Sequence, residues 1–144
     1  MKGVVKFIMF DNKCDPYWDK TDKKSEVTKV TDIPFDDFCD EAAILRFVDA
    51  SLNRSGLFDT GCTYWKEASR VHLFDILNYI KKTKLSAEQN IESVIKLLKM
   101  DKASLTVLLN NFHKNYGVID RNAFLHDIDT VYEPVSKALL RMFE

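Results

Sequence analysis

The chain has 144 residues, of which 46% are hydrophobic and 30% charged, and its formal net charge is −1. That length suffices for one ordinary domain with a real core, and the composition is that of a soluble globular protein. No stretch approaches the roughly 18 consecutive apolar residues of a membrane span, and a near-neutral balance gives no global electrostatic case for nucleic acid.

The N-terminal "MKGVVKFIMFDNK" has a short apolar run. Acidic residues follow at once without a small-residue cleavage site, so it reads as part of the domain and not as a signal peptide. Next, "VVKFIMF" (Val4–Phe10) has the β-branched start of a buried strand. "SEVTKVTDI" (Ser25–Ile33) alternates Val27, Lys29, Thr31 and Ile33 against Glu26, Thr28, Val30 and Asp32, which predicts a second strand. The two strands would pair as an N-terminal β-hairpin through the polar loop 11–24, occupying residues 1–34. Pro34 breaks the pattern.

The rest, residues 35–144, reads as helical. Phe35–Leu52 places Phe38, Ala42, Leu45, Val48 and Leu52 on one stripe. Asp36 or Asp37 is its candidate cap, and acids crowd the first turn, where the helix dipole favours them. Gly56 stands ready as a left-handed terminator. From Tyr64 onward Leu73, Ile76, Leu77 and Ile80 recur at helical spacing, predicting a helix over about 65–82. Ser86 with Gln89 has the form of a capping box for a helix over about 87–99, whose stripe is Ile91, Val94, Ile95 and Leu98. Asp101 caps the next, about 102–116, with Leu105, Leu108, Leu109, Phe112 and Tyr116 inward and Gly117 as its stop. Val131, Val135, Ala138, Leu139 and Met142 mark a last helix, with Pro134 early enough to be tolerated. The fold class expected is α+β, mainly α, in a single domain.

Charge is unevenly spread along this plan. Residues 1–65 hold 9 Lys and Arg against 12 Asp and Glu, a net of −3. Residues 66–121 hold 10 against 6, a net of +4, and residues 122–144 hold 2 against 4, a net of −2. A locally basic surface binds phosphate even when the whole protein is neutral. Ordinary scatter of solvated lysines explains the numbers equally well.

Catalytic and metal chemistry finds little support. Asp11 ends the first strand, but Lys13 occupies the second position of a DxD nucleophile motif. Asp11, Asp15, Asp19 and Asp22 share one loop without the EF-hand order. Cys14, Cys39 and Cys62 lack CxxC spacing and are odd in number, which speaks against a disulfide framework or zinc knuckle and fits an intracellular setting. His72, His113 and His126 are isolated from one another, and the glycines form no phosphate loop. The sequence therefore points away from an enzyme and calls for no cofactor or metal.

The short break "KMDK" between the two helices spanning 87–116 predicts a steep crossing, as in a helix-turn-helix. "FDILNYIKKTKLSAEQNIESVIKLLKMDKASLTVLLNNFHKNYGVIDR" (Phe74–Arg121) resembles the core of winged-helix regulators of the MarR type. Leu85-Ser86, Leu98-Lys99, Asp101–Leu105 and Gly117–Arg121 fall where that family has its "LS", "LG", recognition-helix start and "GLIxR". Lys99 stands where the family has Gly. "NAFLHDID" after Arg121 reads either as a short return strand of a wing or as a helix capped by Asp120. The resemblance implies duplex DNA as partner and a homodimer built partly on the C-terminal helix. Lys99, Lys102, Ser104, Thr106, Asn110, Lys114 and Arg121 are the candidate DNA-binding residues: lysines for backbone, Thr and Asn for base edges. The other class of function is a protein-interaction module, such as a viral or phage factor that inhibits a host protein. Its anchors would be Tyr17, Trp18, Phe58, Tyr64 and Trp65, since Trp and Tyr are enriched at interfaces.

Overall fold

The computed structural model describes residues 27–57, 63–117 and 129–144. Of these, 78% are helical, in five α-helices and two short 3-10 turns. They are α1 (Glu41–Ser55), α2 (Thr63–Thr83), α3 (Ile91–Leu98), α4 (Lys102–Tyr116) and α5 (Asp129–Phe143), with 3-10 turns at Phe35–Asp37 and Ser86–Glu88.

The expected N-terminal β-hairpin is corrected: among the described residues there is no strand, and the class is mainly α, not α+β. Val4–Phe10 lies outside the described residues. Residues 27–34 are extended, but they act as a strap across helix ends. The Thr28 N–H donates to the Ser55 carbonyl at 3.3 Å and the Val30 N–H to the Met142 carbonyl at 2.7 Å. Both acceptors lie in last turns, of α1 and α5, where helical carbonyls have no partner of their own. Inward contact follows a period of three, Val27, Val30 and Ile33, while Lys29 and Thr31 stay exposed. Helix ends offer scattered acceptors instead of a ladder, so the alternation typical of a sheet is not required.

α1 begins later than the apolar pattern suggested. Phe35 and Phe38 are buried and meet edge to face at 5.4 Å, within a 3-10 turn that follows Pro34. The cap is Asp40, whose Oδ1 accepts from the Ala43 N–H at 2.9 Å. The buried stripe is Ile44, Val48, Ser51, Leu52 and Ser55, with Ala42 exposed. Gly56 closes the helix at φ 79°, the left-handed conformation foreseen for it.

α2 is the axis of the molecule, in contact with α1, α3, α4 and α5. Every residue from Val71 to Asn78 is buried, as expected of a helix surrounded by others. Three ties fix its surroundings. Arg70 Nε pairs with Asp49 Oδ1 of α1 at 2.7 Å, raising the guanidinium pKa mainly through that hydrogen bond. Lys81 Nζ donates to the Phe35 carbonyl at 3.0 Å. Gln89 Nε2 donates to the carbonyls of Lys84 (3.0 Å) and Lys81 (3.3 Å), satisfying the end of α2.

That last contact corrects the Ser86–Gln89 capping box. Gln89 serves the helix behind it, and α3 is capped by Asn90, whose Oδ1 accepts from the Ser93 N–H at 3.0 Å. α5 then lies against α2 and α3, burying Tyr132, Val135, Ala138, Leu139, Met142 and Phe143, with Pro134 accommodated inside the helix.

Candidate nucleic-acid interface

α3 and α4 are joined by Lys99, Met100 and Asp101 alone. The turn is held from both sides. The Tyr132 hydroxyl of α5 donates to the Met100 carbonyl at 2.8 Å. Burial pushes the phenol pKa up, with Ser136 partly opposing. Asp101 caps α4, its Oδ2 accepting from the Ser104 N–H at 2.9 Å. This bond is the main reason its carboxyl sits below the usual range. At the other end Gly117 adopts φ 65° and returns its N–H to the His113 carbonyl.

α4 buries Leu105, Leu109, Phe112 and His113. Its rotation about its own axis is fixed by a polar contact deep in the core. His113 Nε2 lies 3.0 Å from Asp75 Oδ1 of α2, with side chains 7% and 0% exposed. A carboxylate so far from water requires such partners. His113 is thus an anchor of the helix and turned away from its outer face.

With that face inward, Ala103, Ser104, Val107, Asn110, Asn111, Lys114 and Asn115 stand outward and exposed, Val107 at 61%. No Asp or Glu occurs anywhere in α4. Surface helices ordinarily carry both signs of charge; this one presents a hydroxyl, amides, a methyl-bearing side chain and a lysine.

The candidate DNA-binding residues thus separate. Ser104, Asn110 and Lys114 share the exposed face. Thr106 and Lys102 are half-buried at its margin. Lys99 is exposed at the turn, its Nζ paired with Glu144 Oε2 at 2.6 Å. Arg121, with the wing region after it, lies outside the described residues. Val107 and Asn111 belong to the face and were missed. The absence of acids between Lys102 and Gly117 was the signal that would have included them.

Among the candidate protein-interface aromatics, Tyr17, Trp18 and Phe58 lie outside the described residues. Tyr64 and Trp65 begin α2 and meet edge to face at 5.3 Å. Trp65 is buried in the main core and Tyr64 packs half-buried against it. Among the described residues no cluster of His, Cys, Asp and Glu has a metal-binding arrangement, and no helix is long and apolar enough to cross a membrane.

Compared with known proteins, the chain matches no family model, no curated protein and no solved structure.

Proposed function

We propose that the protein binds double-stranded DNA, with α4 laid in the major groove and α3 crossing the backbone before it. The observation that carries this reading is the outward face of α4, which combines exposed Ser104, Asn110, Asn111 and Lys114 with no acidic side chain along the helix. Asn pairs with adenine edges, an aliphatic group such as Val107 suits the thymine methyl, and Lys suits guanine or phosphate. The one carboxylate near the start, Asp101, is engaged by the helix N-terminus. The role is regulatory and intracellular, and a homodimer would present two such helices to a two-fold site.

The test is anisotropy of a labelled duplex across a salt series. Binding should weaken steeply with salt, log K falling by roughly 0.9 per phosphate contact per log unit of salt. Lys114→Glu should lower that slope by at least about 1. Asn110→Ala should weaken binding to a selected sequence by roughly 5- to 100-fold, the range for one base contact. Both side chains are exposed, so neither change should alter the unfolding midpoint. Absence of binding at low salt, or variants that bind like the parent, refutes the assignment.

A further inference from the structure

Among the described residues three large apolar side chains stand exposed, Leu85, Val107 and Tyr116. Val107, at 61%, is the one in the middle of α4. With about 100° of turn per residue, it points directly away from the stripe of Leu105, Leu109, Phe112 and His113. A β-branched side chain at so open a position adds no core packing and gains nothing in helix propensity. Its neighbours one turn away are polar: Ser104 before it, Asn110 and Asn111 after it, all exposed. α4 also lacks Arg, Asp and Glu throughout. In the major groove Arg is the commonest reader of guanine, and Asp or Glu accepts from cytosine. Asn pairs instead with adenine N6 and N7, and an apolar side chain meets the thymine methyl. The outward face of α4 thus holds readers for both members of an A·T pair, and leaves Lys114 as its one candidate for guanine.

We infer that this face selects adjacent A·T pairs in duplex DNA, with Val107 seated on the C5-methyl of a thymine and the amides of Asn110 and Asn111 on adenines beside it. This rests on the DNA reading above and adds the sequence class that the helix takes. The spacing fits. Three or four helical residues rise roughly 4.5–6 Å, against about 3.4 Å per base pair. The thymine and the adenines therefore lie one or two steps apart. Because the recognised group is a methyl, deleting it while keeping the base pair deletes the contact.

The experiment measures anisotropy of three labelled duplexes of equal length: alternating A·T, the same duplex with deoxyuridine for thymidine, and alternating G·C. Equal length gives equal phosphate charge, so the sequence-independent part of binding is common to all three. The parent protein should prefer A·T to G·C by at least about fivefold, the lower end for one bidentate base contact. The deoxyuridine duplex should bind roughly fourfold more weakly than A·T, which is the worth of one buried methyl group. Val107→Ala should bind the A·T and deoxyuridine duplexes equally and keep the parent's salt dependence. Its unfolding midpoint should not fall, since Ala is the better helix former. The double variant Asn110→Ala with Asn111→Ala should narrow the preference over G·C and retain the deoxyuridine penalty. Equal binding of A·T and deoxyuridine duplexes by the parent, a penalty that survives in Val107→Ala, or equal affinity for all three duplexes would each overturn the inference while leaving the DNA reading in place. Failure to bind any duplex at low salt would overturn both.

Discussion

His113 and Asp75 illustrate what a single residue contributes here. Their contact joins α4 to the central helix through polar atoms in an otherwise apolar core. Replacing His113 by Leu leaves a buried carboxylate short of a partner and should destabilise the protein by about 3–5 kcal/mol. The double variant Asp75→Leu with His113→Leu removes both polar partners and should lose less than the sum of the singles; chemical denaturation of the four proteins measures the coupling, and strict additivity would refute it. Asp101 gives a pH dependence. Its carboxyl is shifted down in the folded state, so the cap stabilises the fold fully above the unfolded value of about 4. That contribution disappears as pH falls through the lower folded value. In Asp101→Ala the acid-side slope of stability against pH should flatten, as thermal unfolding between neutral and strongly acid solution would show. Gly56 sits at φ 79°, and Gly56→Ala should cost roughly 1 kcal/mol because Cβ crowds the left-handed conformation.

For whole elements, legibility depended on how many local signals agreed. The bounds of α4, Asp101 to Gly117, are legible because cap and terminator agree, but the expected inward stripe runs one residue too far: Tyr116 is exposed. α1 was placed too early because Phe35 and Phe38 extend its apolar spacing backward, although they pack in a 3-10 turn. Only the side-chain bond from Asp40 distinguishes the true start. Gln89 was assigned to the wrong helix for a related reason: a capping-box spacing does not reveal that the end of α2 lies within reach of the same amide. The turn before α4 depends on a partner far away in sequence. Tyr132→Phe deletes the hydroxyl that holds the Met100 carbonyl and should cost about 1 kcal/mol. Hydrogen exchange should rise locally at Met100 to Leu105, and unchanged protection there would show that the turn holds itself.

At the scale of the molecule, helix count and core positions were largely readable, and the N-terminal topology was not. Val94, Leu98, Leu105, Leu109, Val135 and Leu139 were placed on inward stripes from spacing alone, and all are buried. The strap was misread because an extended segment is defined by its partners, and the sequence of 25–33 does not record whether those are a strand or two helix ends. Of the candidate site, Asn110 and Lys114 were legible as the polar complement of an apolar stripe. The engagement of Lys99 by Glu144 was not, since it joins a turn to a residue just past α5, far away in sequence. Val30→Pro removes the donor to Met142 and should destabilise the whole fold by about 1–3 kcal/mol, with α5 losing protection in hydrogen exchange along with the strap.

The bond from Val30 to Met142 also sets an order of events during synthesis. Its two ends are separated by nearly the whole described chain, so the acceptor leaves the ribosome only after every other helix has emerged. Until then the segment is held only by α1 and α2, through Thr28 to Ser55 and Phe35 to Lys81, and Val30 lacks its acceptor on α5. Closing so long a loop is slow compared with forming local helices. The Val30–Met142 bond is therefore the last of the strap's contacts that can close during synthesis.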